Sequence, residues 1–310
     1  MKHIQSLKIL MVAAAVAAPI CLMVSVPAFA AKPKPVCIVG HSHSSIQDAV
    51  NDYNCHSINV PAGTFKENVV IMHDVEIRGA GPDSTTIDGS NKAAPVFLVS
   101  HMDYQNPIAI TLKGITITGG TSPRALHPNG GGISTYGAGL TVKDCVITKN
   151  RALDFFTVPC TSVSDQICLG QGGGIGAAHS TVIVTDSIIT ENTATFGGGL
   201  RVAGIGALTV KDSVIESNTA SNVGRLGQGG GIWGYAPPVG SMTVKDSLIN
   251  DNMADTQGGG IYVSNRTLTI KDSDIVNNTA GTGGGIYRTN SALTIKDSTI
   301  TGNSLPQIAP

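Results

Sequence analysis

The feature that most constrains this chain is a repeated glycine triplet. Six copies begin at Gly130, Gly172, Gly197, Gly229, Gly258 and Gly283. Each is followed by Ile or Leu and then by an alternating stretch such as LTIKDSTITGN, with aliphatic residues on one face and Thr and Lys on the other. Alternation with a period of two and many β-branched residues predict short strands. The copies begin about 25 to about 42 residues apart, which is typical of one repeating coil with insertions at a corner.

Stacked coils would place equal positions of successive copies above one another, about 4.8 Å apart. We therefore expect an all-β fold, a single-domain right-handed parallel β-helix (a solenoid). One inward column would contain Leu140, Val182, Leu208, Met242, Leu268 and Leu293, and another Ile147, Ile189, Ile215, Ile249, Ile275 and Ile300. A narrow tube filled by aliphatic side chains explains why 41% of the residues are hydrophobic and only 4% aromatic.

Polar residues also recur once per copy. One column is Asn150, Asn192, Asn218, Asn252, Asn278 and Asn303, and we expect each amide to bond the amide of the next turn and the backbone of a corner. A second is Asp144, Asp186, Asp212, Asp246, Asp272 and Asp297, which we expect in tight turns beside outward lysines. Calcium binding along the aspartates is the alternative; we expect no cofactor, because the spacing is not that of calcium-binding β-rolls. Cys145 stands in a column of serines and is expected to be a packed small residue.

The segment upstream of the repeats has the features of a cap. Ser44 or Ser45 can begin a short amphipathic helix through Val50, whose apolar side would cover the open end of the tube. Together with VPAGTFKENVVI, this segment resembles the amino-terminal cap and first coils of the pectin lyase-like superfamily. The repeats resemble those of polymorphic outer membrane proteins and bacterial β-helix repeat proteins, in their Gly-Gly-small-Ile and Ile-x-x-Asn motifs. The resemblance covers about Val36 to Asn303. It implies the fold but not an activity, because the superfamily includes lyases, esterases, epimerases, hydrolases and adhesins.

The amino terminus has the features of a secretory signal. Residues 1–30 contain a basic start, an apolar stretch and a small-x-small site, so we expect cleavage after Ala30 and a secreted or periplasmic protein without a membrane span. We assign residues 31–35 to a linker, 36–303 to the β-helix and 304–310 to a tail. Loss of Lys2 and Lys8 lowers Lys plus Arg from 20 to 18 against 21 acidic residues, a net charge of −3, so nucleic acid is a poor candidate partner. Oligomerisation through the carboxy-terminal end is an open possibility.

The cysteines fit an oxidising compartment. Cys37 with Cys55 and Cys160 with Cys168 are the expected disulfides, because each pair is close in sequence and brackets an irregular segment. His41 and His43 could offer two imidazoles, but without a third ligand the sequence predicts no metal site.

The sequence offers two candidate functional sites. The residue after the Ile or Leu of four triplets is Arg201, Trp233, Tyr262 and Tyr287. If these side chains face outward in one line, they could bind an extracellular or envelope polysaccharide or another cell-surface component. The alternative is that they stabilise the sheet by stacking or pack beneath neighbouring loops.

The second site would make the protein a carbohydrate-active enzyme that acts on acidic polysaccharide. Arg124, His127 and Asp103, with His101 nearby, have side chains suited to acid–base chemistry if they converge. Solvated loop residues are the alternative, and the signatures of pectate lyases and pectin methylesterases are absent from the sequence. The sequence therefore favours a binding protein over an enzyme.

Overall fold

Parallel strands wind around one tube and form three sheets. The structure, a computed structural model, describes residues 36–101, 103–122, 130–152, 170–222 and 226–310, without the side chains of residues 237–239. The sheets have 17, nine and five strands, and every pair of neighbouring strands in them is parallel. Pairing joins each turn of the chain to the equivalent part of the next turn. The predicted all-β parallel β-helix is confirmed.

The largest sheet contains two adjacent stacks. The first stack is β4 (Val69–Ile71), β7 (Phe97–Ser100), β11 (Ile133–Tyr136), β15 (Ile175–Ala178), β19 (Leu200–Ala203), β28 (Ile286–Thr289) and β31 (Ile308–Ala309). The second stack is β1 (Val36–Ile38), β2 (Ser57–Asn59), β5 (Val75–Arg78), β8 (Ile108–Lys113), β12 (Ala138–Lys143), β16 (Thr181–Thr185), β20 (Leu208–Lys211) and β29 (Leu293–Lys296). Two long strands, β23 (Ile232–Lys245) and β26 (Ile261–Lys271), run through both stacks. The corner between the stacks is therefore part of one continuous sheet.

The other two sheets complete each turn. The nine-stranded sheet is β3 (Gly63–Phe65), β6 (Thr85–Asp88), β9 (Thr116–Thr118), β13 (Val146–Thr148), β17 (Ile188–Thr190), β21 (Val214–Glu216), β24 (Leu248–Asn250), β27 (Asp274–Val276) and β30 (Thr299–Thr301). The five-stranded sheet is β10 (Thr121–Ser122), β14 (Arg151–Ala152), β18 (Thr193–Ala194), β22 (Thr219–Ala220) and β25 (Met253–Ala254). Its strands are short because they lie between the Asn column and the next glycine triplet.

The core is a tube of stacked aliphatic side chains. Leu140 pairs in register with Val182, and the same column continues through Leu208 to Leu268 and Leu293. The isoleucine column on the nine-stranded sheet is also in register, from Ile147 to Ile300. Both predicted columns are confirmed, and all their members are buried except the last of each, which are half-buried. Burial of this apolar surface is the main favourable contribution to folding.

The predicted asparagine ladder is confirmed along its whole length. The backbone N–H and the side-chain Nδ2 of Asn218 both donate to Oδ1 of Asn252, at 3.0 Å each. The same Nδ2 donates to the carbonyl of Ile189 on the preceding turn at 2.8 Å. Equivalent bonds join every neighbouring pair from Asn150 to Asn303. Each buried amide is therefore satisfied by the turns on either side of it.

The glycine triplets allow a left-handed turn and a close approach between backbones of neighbouring turns. Gly258, the first glycine of its triplet, has φ +64°, in the left-handed region that favours glycine. At Gly259, the second glycine, a Cβ would lie 2.5 Å from the carbonyl oxygen of Gly284 on the next turn. The triplets therefore stack directly upon one another, and a side chain at this position would force the turns apart.

Each aspartate of the predicted column lies at a corner of the chain, with its backbone in the left-handed conformation. The six members of the column have φ between 48° and 52°, where Asp is tolerated better than most residues. Their carboxylates lie beside lysines: Asp246 is 2.9 Å from Nζ of Lys245, and Asp272 is 3.2 Å from Nζ of Lys271. These pairs are solvent-exposed, so water screens them and they contribute little to stability.

A short helix lies at the amino-terminal end, where the sequence predicts a cap. Helix α1 spans Ile46–Asn51, and the hydroxyl of Ser45 accepts a hydrogen bond from the Asp48 N–H as its N-cap. Its apolar side chains Ile46, Ala49 and Val50 are buried. The helix is held to β4, because Gln47 accepts from the N–H of Val70 at 2.7 Å. The predicted capping helix is confirmed.

The described residues contain one disulfide and one free cysteine. Cys37 and Cys55 form a disulfide, as the sequence pairing has them, while Cys160 and Cys168 lie outside the described residues. Cys145 is free and buried, and its Sγ lies 3.1 Å from the carbonyl of Lys143, where other turns place a serine hydroxyl. Burial raises the pKa of the Cys145 thiol to about 11. It is a packed small residue, as predicted.

The last residues of the chain continue the sheet. In β31, Ile308 and Ala309 pair with Ile286 and Tyr287 of β28. Strand pairing therefore extends beyond Asn303 into the segment that the sequence assigns to a tail.

Candidate functional site

The proposed binding line is in register but is not an exposed surface. Arg201 pairs with Trp233, Trp233 with Tyr262, and Tyr262 with Tyr287 on neighbouring strands. The Trp233 and Tyr262 rings stack at 5.8 Å and 8°, and the Tyr262 and Tyr287 rings at 5.4 Å and 9°. The guanidinium of Arg201 lies 5.4 Å from the centre of the Trp233 ring. The alignment expected from the repeat is therefore correct.

The exposure expected for this line is wrong. Only 6% of Arg201, 1% of Trp233 and 9% of Tyr262 is accessible, and Tyr287 is half-buried. Trp233, Tyr262 and Tyr287 belong to a second apolar cluster outside the tube, and Arg201 stacks on its tryptophan. The other members of the cluster are Phe196, Ala203 and Leu226. The outer side of the strand is a packed surface here.

The residues just before the triplets explain this burial. Gln171, Phe196, Gln228, Gln257 and Thr282 each precede a triplet and stack in a ladder of their own. The Phe196 ring lies 5.3 Å from that of Trp233, and the Trp233 Nε1–H donates to Oε1 of Gln228 at 3.3 Å. Because the chain turns sharply at each triplet, the residue before the triplet returns alongside the residue after it. The alternative that the line packs beneath neighbouring segments is the one the structure supports.

Arg201 is a buried cation in this cluster. Burial, with a smaller contribution from the charge of Arg266, lowers the pKa of its guanidinium to about 9. Its Nε has no hydrogen-bond partner. Arg201 is thus held by stacking on Trp233 and is not presented to a ligand in solution.

A second arginine, missed by the sequence analysis, lies at the corner between the two stacks. Arg266 is 2% exposed, and it donates from Nη1 to the carbonyl of Gly206 and from Nη2 to that of Gly204, both at 2.7 Å. Its Nε has no partner. Burial lowers the pKa of Arg266 to about 10, so the side chain remains charged at neutral pH. Its position, two residues before inward Leu268 in an alternating strand, is the sequence signal that could have identified it.

Local backbone geometry makes room for this arginine. Gly240 pairs with Arg266, just after the register of β23 and β26 shifts between Tyr235 and Gly240. A Cβ on residue 240 would lie 2.6 Å from Cζ of Arg266, so a larger residue there would displace the guanidinium from its present position. The bulge therefore positions a cation where the sheet bends.

A cleft of about 410 Å³ opens beside Arg266. We call it the corner cleft; its lining is Gly240, Ser241, Asn265, Arg266, Thr267, Asn290 and Ala292. Asn265 and Asn290 occupy the same corner on consecutive turns, with φ of +53° and +48°. These seven residues offer hydroxyl, amide and guanidinium groups and no carboxylate. The cleft can therefore accept hydrogen bonds from hydroxyl groups and attract negative charge.

The proposed catalytic residues are only partly described. Asp103 is exposed, and its Oδ1 accepts from the N–H of Gln105 at 3.0 Å and its Oδ2 from Nδ2 of Asn106 at 2.8 Å. These bonds lower the pKa of Asp103. His101 contacts the carbonyl of Asn106 at 2.8 Å through Nε2. Both side chains thus hold their own loop, while Arg124 and His127 lie outside the described residues.

Comparison with known proteins agrees with this architecture. A family model described as the right-handed beta helix region matches residues 66–255 and 171–309. The chain belongs to the right-handed β-helix family. The fold that the resemblance to the pectin lyase-like superfamily implies is thereby confirmed. A search of curated proteins found no match.

Solved structures with the same kind of fold are distant. A pectin methylesterase from Aspergillus niger is 11% identical over 87% of this chain and 86% of its own, with a TM-score of 0.41. The catalytic domain of an α-1,3-glucanase is 14% identical over 85% of this chain and 54% of its own, also at 0.41. The A-module of a mannuronan C-5 epimerase from Azotobacter vinelandii is 14% identical over 85% and 90%, at 0.33. At these values the similarities carry no argument about activity. Within the described ranges, no helix has the length and apolar character needed to cross a bilayer.

Proposed function

We propose that this β-helix is a secreted or periplasmic binding protein that holds an acidic extracellular or envelope polysaccharide in the corner cleft. The observation that carries the proposal is the cleft lining, which combines a buried arginine with hydroxyl and amide side chains and lacks a carboxylate. The charge of the arginine attracts the carboxylate of an acidic sugar through space, and the neutral side chains of the lining can form hydrogen bonds with sugar hydroxyls. The site replaces the aromatic line of Arg201, Trp233, Tyr262 and Tyr287, whose side chains stack on one another and pack against neighbouring segments.

The charge of Arg266 favours an anionic ligand. Two of its nitrogens are occupied by backbone carbonyls, which satisfy hydrogen bonding without neutralising the positive charge. A buried charge interacts more strongly with an opposite charge than an exposed one does. An acidic sugar in the corner cleft would therefore bind more tightly than the corresponding neutral sugar, and salt would weaken it.

Export is part of the proposal. Residues 1–30 have the pattern of a cleaved signal, and the Cys37–Cys55 disulfide suits an oxidising compartment. The motif resemblance to polymorphic outer membrane proteins also favours a role outside the cytosol. Self-association through the carboxy-terminal end stays a prediction, which sedimentation of the purified protein would measure.

Calorimetric titration with a uronic acid hexasaccharide and a neutral hexose hexasaccharide tests the cleft. We expect tighter binding of the acidic sugar and about fivefold weaker binding for Asn290→Gly, since a lost hydrogen bond is worth about 1 kcal/mol. Glycine keeps the positive φ of residue 290 and removes only the amide. Asn277→Gly is the matched control, because Asn277 also has positive φ, at +57°, but does not line the cleft. Equal binding of both sugars, or unchanged binding by Asn290→Gly, would contradict the proposal.

The enzyme alternative is tested on the same sugars. Unsaturated products are followed by ultraviolet absorbance, and cleavage by the release of reducing ends. We expect no turnover, with or without calcium. Turnover that Arg124→Ala abolishes would show instead that the protein is an enzyme.

A further inference from the structure

The amino-terminal cap brings together four side chains that can ligate a metal ion. Cys37 lies in β1, Cys55 just before β2, His43 in the connection after β1, and Asp52 at the C-cap of α1. One ligand atom from each lies within 4.8 Å of the other three. Both cysteines are buried, and the side chains of His43 and Asp52 are 15% and 39% exposed. The cluster lies far along the chain from the corner cleft and does not depend on the proposed function.

Two distances within the cluster already suit tetrahedral coordination. Nε2 of His43 lies 3.6 Å from Sγ of Cys55 and 3.5 Å from Oδ2 of Asp52. Around a tetrahedral Zn²⁺ with bonds of about 2.0 to 2.3 Å, neighbouring ligand atoms are about 3.3 to 3.8 Å apart. The two sulfur atoms are the pair that must separate, since they are bonded to each other.

Ser42 holds the imidazole of His43 in place. The Ser42 Oγ lies 2.9 Å from Nδ1 of His43 and 3.1 Å from the carbonyl oxygen of Ile38. Nδ1 is therefore engaged with Ser42, while Nε2 lies near Cys55 and Asp52. Metal-ligating histidines typically have this arrangement, in which one ring nitrogen is hydrogen-bonded to the protein and the other binds the metal.

Asp52 can supply the fourth ligand. Its Oδ2 lies 3.5 Å from Nε2 of His43, and one of its oxygens lies within 4.8 Å of both sulfur atoms. In the oxidised protein the two sulfur atoms are bonded to each other, whereas two thiolates would complete a site with two sulfur, one nitrogen and one oxygen ligand.

We propose that reduction of the Cys37–Cys55 disulfide converts this cluster into a Zn²⁺ site formed by Cys37, His43, Asp52 and Cys55. A dithiol reductant supplies two electrons and two protons, the S–S bond breaks, and the reductant becomes a disulfide. Zn²⁺ then displaces one proton from each thiol and forms two Zn–S bonds. Because Cys37 and Cys55 are 18 residues apart and enclose helix α1, the cap is cross-linked in both states, by a disulfide or by a metal.

Cobalt substitution tests the site directly. The background is the full chain with Cys145, Cys160 and Cys168 changed to Ser, so that only the two cap cysteines remain in the exported protein. After anaerobic reduction with a phosphine, Co²⁺ is added and the thiolate-to-cobalt charge-transfer band is recorded. We expect one Co²⁺ per reduced chain, displaced by Zn²⁺, and no such band in the oxidised protein.

Two histidines provide a matched comparison. His43→Ala should weaken Co²⁺ binding by at least about tenfold, whereas His41→Ala, outside the cluster, should leave it unchanged. Circular dichroism checks that each variant is folded; if His43→Ala is not, Asp52→Asn decides in its place with the same expected loss. The absence of a charge-transfer band in the reduced protein, or an equal affinity in His43→Ala, would overturn the proposal.

Discussion

Two columns of this β-helix are built by the same repeat and yet depend on different parts of the molecule. The Asn column, inside the turns, is satisfied by its own members, as Asn218 shows with bonds to Asn252 and to the backbone. The column of Arg201, Trp233, Tyr262 and Tyr287, outside the strands, is in equally good register. Its environment, however, is set by residues from another part of each turn, such as Phe196 and Gln228.

The comparison of the two columns shows that the register of a residue and its exposure to solvent have different causes. Register follows from stacking equal turns, because backbone pairing in one sheet fixes what lies above and below each residue. Exposure follows from what lies beside the strand, and that depends on the path of the chain around the triplet. An outward-facing side chain in a β-helix is thus exposed only where no neighbouring segment covers it.

The largest effect in this comparison is expected for Trp233→Ala. Because Trp233 is buried, its loss should lower the free energy of unfolding by about 4 kcal/mol. Urea unfolding followed by circular dichroism measures it, since the protein has a single tryptophan and the variant loses that fluorescence. Tyr53→Ala is the control, because Tyr53 is 65% exposed and should cost about 1 kcal/mol through its contact with His73. If the two changes lower the free energy of unfolding equally, the aromatic column is exposed rather than buried.

A somewhat smaller effect is expected for Asn218→Ala in the inner column. The change leaves the buried N–H of Asn192 and the carbonyl of Ile189 without their partner and should cost about 3 kcal/mol. Asn250→Ala is the control in the next turn, because the Asn250 amide bonds only exposed side chains and its loss should change stability by about 0.5 kcal/mol at most. If the urea midpoints of the two variants agree, the ladder does not stabilise the fold.

The smallest effect is expected for Cys145→Ser. The hydroxyl can donate to the carbonyl of Lys143, as the serines of later turns donate to their own, so stability should change by less than about 1 kcal/mol. Urea unfolding at pH 7 measures the difference. The reciprocal change, Ser213→Cys, should be equally mild, and a large loss in either variant would show that the column distinguishes sulfur from oxygen.

The Cys145 thiol also gives a pH prediction of definite sign. Its folded pKa of about 11 is above the usual value of 9.0, so between these values the folded state retains a proton that the unfolded state loses. The contribution of the thiol to stability therefore falls as pH rises from about 9 to about 11. Comparing the wild type with Cys145→Ser across this range isolates the effect, and parallel pH curves for the two proteins would contradict it.

Much of the fold could be predicted because the repeat supplies the information several times. Six triplets, an Asn in each turn and alternating aliphatic residues all indicate the same stack. Ser44 or Ser45 indicates the start of the capping helix, and the structure selects Ser45. The candidate site could not be predicted in the same way. Arg266 is a single departure from the pattern of its column, and the cleft beside it arises from a register shift between Tyr235 and Gly240. Features that occur once have no second copy to support them.

The sequence by itself determined which residues are neighbours along the axis of the helix, because a periodic chain with parallel pairing stacks like on like. It also predicted the pairing of Cys37 with Cys55 from their closeness in sequence, and the structure confirms that pair. The tertiary structure alone decided that Trp233 is covered, that Arg266 borders a cleft and that His43 and Asp52 meet the disulfide. These contacts lie across the axis, between segments of different sequence. The angle of each corner and the space beside it determine which side chains come into contact there.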